Sequence, residues 1–259
     1  MRILFIGDIV AEAGLRTLKA VLPTVKKRLA PDITIANGEN VSRGFGMAPP
    51  HIKGIFSAGV DVITTGNHVW DKREGFEVIG RDERILRPAN FTPGVPGRGW
   101  GLYDRGGWRV GVLNLAGRIF MNPAENPFII AEDAVADLKN NGAKAIFVDF
   151  HAEATSEKAA MGHHLDGRVA VVAGTHTHVP TADGRVLPGG TGFISDVGMT
   201  GVRDSVIGVE KAPSVKRFMT GMPYMTPSAE GKGTLMGALF EVDERGLCVN
   251  VARVEENEP

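Results

Sequence analysis

Short runs of uninterrupted apolar residues, separated by amphipathic stretches, constrain this chain more than any other feature of it. Ile3 to Ile6, Ile33 to Ala36 and Val60 to Thr64 are such runs, and Leu15 to Leu29 and Ile52 to Ala58 are the amphipathic stretches between them. The rhythm is βαβαβ. A strand apolar on both faces has to be covered on both, which places it in a mostly parallel sheet flanked by helices. The middle of the chain changes character. Trp100 to Tyr103 and Trp108 to Leu115 flank Arg105, Gly106 and Gly107, the pattern of an antiparallel hairpin with a glycine turn. The rhythm then resumes with a helix over Pro127 to Asn140, a strand over Ala145 to Phe150, a helix over Ser156 to Leu165 and a strand over Val169 to Ala173. Beyond Pro188 the sequence reads as glycine-rich loops around Phe193 to Ser195. It closes with a hairpin of Leu235 to Val242 and Leu247 to Val254. An α/β fold with two packed sheets is expected.

Composition narrows the functional classes. The chain has 259 residues, which suits one large α/β domain over 1–259. Its formal net charge is −1, so there is no global electrostatic case for a nucleic-acid polymer or a membrane surface. The one cysteine, Cys248, cannot form an internal disulfide, and Met1 leads at once into an apolar strand. Both features point to the cytoplasm. No apolar run approaches the roughly 20 residues of a membrane span. Glycine is abundant, 34 of 259 residues, which is about 13% against about 7% in average usage. Tight turns or close backbone packing are implied.

The apolar runs end in potential metal ligands. Ile3 to Ile6 leads to Asp8, Ile33 to Ala36 to Glu39 and Asn40, and Val62 to Thr65 to Asn67 and His68. Ala145 to Phe150 leads to His151, and Val169 to Ala173 to His176 and His178. In open α/β sheets, ligands bind outside the carboxyl ends of the strands, so these groups can converge. His176 and His178 are spaced so that extended backbone would project both imidazoles to one side. Gly7, Gly38, Gly66 and Gly174 precede four of the groups and are expected to supply sharp turns. Taken singly, Asp8 or Asn67 reads more simply as a turn or helix cap, and a single His as a hydrogen-bonded core residue. Capping alone does not produce five strand ends with oxygen or imidazole donors. The donor set, without Cys, suits Mn, Fe, Zn or Mg.

Gly7-Asp8, Gly66-Asn67-His68, the isolated His151 and Gly174-Thr175-His176-Thr177-His178 resemble the ordered blocks of the calcineurin-like metallophosphoesterases. Those enzymes use two metals on a four-layer αββα sandwich of two mixed β-sheets. Val10 stands where that family usually has a His, and Gly38-Glu39-Asn40 where it has a Gly-Asp block. This combination, with Gly66-Asn67-His68-Val69-Trp70-Asp71, is similar to the YmdB-like branch of bacterial phosphodiesterases, for which activity on 2′,3′-cyclic nucleotides is implied. By matching positions, the resemblance makes Glu39 the bridging ligand, gives Asp8, Asn40 and His178 to one metal, and gives Asn67, His151 and His176 to the other. His68 is left free as general acid for the departing alkoxide. Two divalent ions, Fe or Mn foremost and Zn or Mg as alternatives, balanced by two carboxylates and a bridging hydroxide leave a net of about +1, which attracts a phosphodiester anion.

Weaker signals remain. Arg43 or Phe45, in the loop after Glu39, and Arg118, after Gly117, are candidate substrate contacts; a solvated loop is an equal reading for the first two. His51, His163 and His164 read as structural or surface residues, and Cys248 as core. No GxxxxGK[ST], GxSxG or CxxC occurs. The expected function is hydrolysis of small phosphodiesters, most of all 2′,3′-cyclic nucleotides, by an enzyme that could form a homo-oligomer. The rivals are a phosphomonoesterase with the same metals and a low-turnover nucleotide- or RNA-binding regulator.

Overall fold

Strand β1 (Arg2–Ile6) is buried on both faces after its first residue, and its side chains divide between two cores: Leu4 and Ile6 enter one, Ile3 and Phe5 the other. This division organises the molecule. The computed structural model describes residues 1–259. After β1 come β2 (Asp8–Ile9), α1 (Ala11–Leu29), β3 (Ile33–Asn37), α2 (Pro49–Ser57), β4 (Val62–Thr64), α3 (Phe76–Arg81), β5 (Trp100–Arg105) and β6 (Trp108–Ala116). Then follow α4 (Pro127–Asn140), β7 (Ala145–His151), α5 (Thr155–His164), β8 (Val171–Thr175), β9 (Arg185–Val186), β10 (Gly192–Ile194), β11 (Met199–Thr200), α6 (Lys211–Thr220), β12 (Thr234–Val242) and β13 (Cys248–Asn257).

Two mixed sheets result. One has the order β13-β12-β1-β3-β4, with β1 antiparallel to β12 and parallel to β3. The other has the order β5-β6-β7-β8-β10-β9 and is parallel from β6 through β10. The cores define the layers. Leu15, Leu18 and Leu22 of α1 and Ile52 and Ile55 of α2 cover the first sheet. Ile3, Phe5, Phe147 and Phe240 lie between the sheets, with the rings of Phe5 and Phe147 edge to face at 4.8 Å. Ala131, Val135 and Leu138 of α4 and Met161 of α5 cover the second sheet. This is the expected αββα sandwich. No helix is long and apolar enough to cross a membrane.

The departures from expectation have local causes. Helix α1 starts at Ala11, four residues ahead of Leu15, without a side-chain cap. Its first residue donates instead to the Asn40 carbonyl (2.9 Å), a tertiary contact that leaves no capping signal. Helix α6 lies where loops were expected; only Ser214 in it is buried, so it shows no core-facing stripe. The hairpin was legible: Gly106 and Gly107 take φ of 56° and 76° between the paired Arg105 and Trp108.

Candidate active site

Each predicted ligand stands at or just beyond the carboxyl end of a strand. Asp8 follows β1, Glu39 and Asn40 follow β3, Asn67 follows β4, His151 ends β7, and His176 and His178 follow β8. All seven converge where the carboxyl ends of the two sheets meet. His151 Nε2 lies 3.0 Å from Glu39 Oε1, 3.0 Å from Asn67 Oδ1 and 3.1 Å from His176 Nδ1. The Asn40 side-chain amide is 3.3 Å from Glu39 Oε1 and 3.2 Å from His178 Nε2, and that Nε2 is 4.0 Å from Asp8 Oδ1. Glu39 Oε1 thus touches both groups of donors.

The outer hydrogen bonds of the imidazoles fix what faces inward. His178 Nδ1 is 2.8 Å from the Ile207 carbonyl, which can only accept, so Nδ1 carries the proton. His176 Nε2 faces Glu153 Oε2 at 3.1 Å, with the same consequence. Thr175 Oγ donates to Asp149 Oδ1 (2.7 Å) and is therefore left to accept from His151 Nδ1 (2.9 Å). The unprotonated Nε2 of His151 then faces Glu39 Oε1, Asn67 Oδ1 and the unprotonated Nδ1 of His176, while the Nε2 of His178 lies against the Asn40 side-chain amide. Asp8 Oδ1 and Asn40 Oδ1 are buried without any partner. Lone pairs facing lone pairs repel unless a cation lies between them. One such cation is a second proton on His151. Burial pulls the His151 pKa down, but the adjacent Glu39 overrides this and raises it to about 9. A metal ion is the other, and the ligand atoms of Glu39, His151 and His176, all within 4.8 Å of one another, fit one. Burial and the neighbouring His151 push His176 down to about 3, which keeps its lone pair available. The residues fit a divalent-metal centre of oxygen and imidazole donors.

Two expected mechanisms of aiming are corrected. His176 and His178 do not sit in extended backbone; their φ values are 101° and 66°, in the region that disfavours side chains. Tertiary bonds hold this strain. Asp196 Oδ2 accepts from the Thr177 N–H and Oγ and from Lys158 Nζ (2.9 Å), a lysine buried beneath the loop. Likewise none of Gly7, Gly38, Gly66 and Gly174 has positive φ. Gly66 is required by space instead, since a Cβ there would collide with His151 and Glu39.

Asn67 and His68 are consecutive residues of a turn, and their side chains diverge. Asn67 faces His151, while His68 Nδ1 faces Asp71 Oδ2 at 2.7 Å and the His68 N–H donates to Glu39 Oε2 (3.0 Å). His68 and Phe45, whose rings are 4.9 Å apart, line a cavity of about 420 Å³ together with Glu39, His176 and His178. Arg43 does not line it; at φ 57° it faces a neighbouring cavity with Arg16 and Lys232. Arg118 is exposed and also outside, its N–H donating to Glu157 (3.0 Å). Sequence reasoning missed Glu153, Asp71, Thr175 and the Ile207 carbonyl. Only Asp71, three residues after His68, carried a local signal.

The sandwich and the donor cluster at its edge define a metallophosphoesterase-type hydrolase. The chain belongs to the YmdB-like protein family, whose model matches residues 4–254. It is 45% identical to a Bacillus subtilis (strain 168) protein named 2′,3′-cyclic-nucleotide 2′-phosphodiesterase, over 100% of this chain and 98% of that one. Among solved structures, a hypothetical protein from Thermus thermophilus superposes with TM-score 0.93 at 42% identity, covering 100% of both chains. A Mycoplasma pneumoniae protein described as a novel phosphatase superposes with TM-score 0.92 at 32% identity, over 100% of this chain and 95% of that one. A 5′-nucleotidase precursor from Thermus thermophilus shares the fold at TM-score 0.62 and 14% identity, over 54% of its own length.

Proposed function

We propose that this chain is a two-metal phosphodiesterase acting on small phosphodiesters, with 2′,3′-cyclic nucleotides as its principal substrates. The observation that carries the reading is the position of Glu39 Oε1, 3.0 Å from His151 Nε2 and 3.3 Å from the Asn40 amide, between two groups of donors. Asp8, Asn40 and His178 would hold one ion, Asn67, His151 and His176 the other, and Glu39 both. When bound, two such ions, Fe or Mn by preference, supply an activated water and offset charge on the phosphoryl oxygens. The substrate class follows from the similarity to the B. subtilis enzyme, which extends over the whole chain.

The remaining chemistry belongs to side chains. Asp71 accepts the Nδ1 proton of His68, which leaves Nε2 as the proton-carrying atom when the ring is charged. His68 lines the cavity, and the proton it holds can pass to the leaving alkoxide of a ribose ester. Phe45, beside it, presents an apolar surface to the bound molecule. Phosphomonoester hydrolysis by the same residues is the second reading, favoured by the phosphatase description of the M. pneumoniae relative. Turnover of 2′,3′-cyclic AMP, bis-p-nitrophenyl phosphate and p-nitrophenyl phosphate, measured on one preparation of known metal content, separates them. A preference for p-nitrophenyl phosphate over both diesters would overturn the diesterase reading.

A further inference from the structure

The third side of the cavity is helix α6, which the reaction as described does not use. Its ten residues bury only Ser214, so hydrophobic burial does not explain its presence at the mouth of the site. Phe218 is 82% exposed, yet it lines the cavity with Phe45, itself 50% exposed, and with His68. Arg217 lines it too. Nearby cations are engaged: Lys211 pairs with Asp204 at 2.8 Å and Lys216 lies 4.7 Å from the centre of the Tyr224 ring. The Arg217 guanidinium forms no ion pair, although Glu39 and Glu153 are the acidic residues of the cavity wall. The segment is tied to the centre through Ile207, whose carbonyl holds His178 and which precedes α6 by a few residues.

We propose that α6 is the recognition wall for a nucleoside phosphate, with Phe218 stacking on the base and Arg217 pairing with the substrate's anionic oxygens. The proposal rests on the nucleotide reading above and adds residues that reading does not contain. An aromatic face exposed to water in a cavity that also holds a free cation and a cluster of phosphate-directed ligands suits a molecule with a planar ring at one end and a phosphate at the other. The opposite face of α6, with Val215 and Met219, lines a separate depression, so Phe218 and Arg217 are set apart from the helix's remaining apolar surface.

The test compares 2′,3′-cyclic AMP with base-free ribose 2,3-cyclic phosphate. Phe218→Ala should raise KM for the nucleotide about 10-fold or more, leave kcat within about twofold, and leave the base-free ester unchanged; Phe218→Tyr should restore the nucleotide KM. Arg217→Gln should raise KM for both esters by roughly 10-fold, since a charge-assisted contact is lost in each. An equal effect of Phe218→Ala on both esters, or none on either, overturns the wall. So does a change of oligomeric state in light scattering with nucleotide kinetics untouched, which would make the patch a subunit interface. Calorimetric binding of adenosine 3′-monophosphate and inorganic phosphate keeps the two readings apart. If the wild type turns over no cyclic nucleotide but Phe218→Ala still weakens adenosine 3′-monophosphate alone, the diesterase reading fails and the wall stands. Unchanged affinity removes the wall whatever the turnover.

Discussion

Asp71 Oδ2 sits 2.7 Å from His68 Nδ1, so a carboxylate orients the one cavity histidine whose ring touches no other candidate ligand. A metal ligand's outer partner fixes its lone pair; here the same device fixes a proton. His68→Ala should keep the metal content while lowering turnover of a cyclic ribonucleotide by about 10² to 10⁴. The loss should shrink with p-nitrophenolate as leaving group, because that anion needs little protonation. Asp71→Asn should cost about 10- to 100-fold in turnover of the same substrate. Equal losses on both leaving groups would remove His68 from proton transfer.

Glu39→Gln should release both ions, since one carboxylate oxygen faces both donor groups and its charge offsets the repulsion between the ions. A single imidazole substitution, such as His176→Ala, should release one ion first. Elemental analysis after dialysis decides the matter, and one ion retained at full occupancy in Glu39→Gln would make Glu39 a terminal ligand.

Gly66→Ala tests space rather than chemistry. The backbone there has no positive φ, so the added methyl brings no conformational strain, but it would collide with His151 and Glu39. The variant should keep its circular dichroism and lose metal. A fully metallated Gly66→Ala protein would contradict the packing described.

Lys158→Met should be strongly destabilising. It leaves the Asp196 carboxylate, 1% exposed, with neutral donors only, and breaking one partner of a buried ion pair costs about 3 to 5 kcal/mol. Metal affinity should fall as well, because Thr177 between the two histidines is held by that carboxylate. An unfolding free energy from denaturant titration within about 1 kcal/mol of wild type would show that the pair contributes little.

Acid stability should depend on Glu258. Hydrogen bonds donated by the Arg16 guanidinium and by the Gly233 N–H hold the carboxyl down at about 2, against an ordinary 4.5. A depressed carboxylate stabilises fully above its ordinary value, and that stabilisation is lost as pH falls from about 4.5 towards 2. Glu258→Gln should therefore give a shallower acid unfolding curve than wild type in that window. The difference should be modest, as Arg16 is largely exposed. Parallel acid curves would place the pH dependence elsewhere.

The strand ends were legible in the sequence because buried strands leave uninterrupted apolar runs, and the first polar group after each run has few places to go. The aiming was not. His176 and His178 depend on strained backbone held by Asp196 and Lys158, and contacts over 19 and 38 residues of sequence leave no periodic trace. The outer partners of the histidines were hidden for the same reason: Glu153 and the Ile207 carbonyl belong to other segments and become neighbours only in the fold. Helix α6 was illegible because a helix that buries one residue has no apolar stripe to read.

Asp8, Glu39, Asn40 and Asn67 hang from one sheet, while His151, His176 and His178 hang from the other. Whatever ion they share therefore acts as a rivet across the sandwich, and its grip measures how truly the two halves are seated. An ion that binds the assembled halves and not the unfolded chain would add about 2.7 kcal/mol at 100 times its Kd, and chelation should then lower Tm accordingly. The converse also holds. Trimming Phe147, which packs between the sheets against Phe5 and Phe240 and contributes no donor atom, should loosen the rivet without touching it.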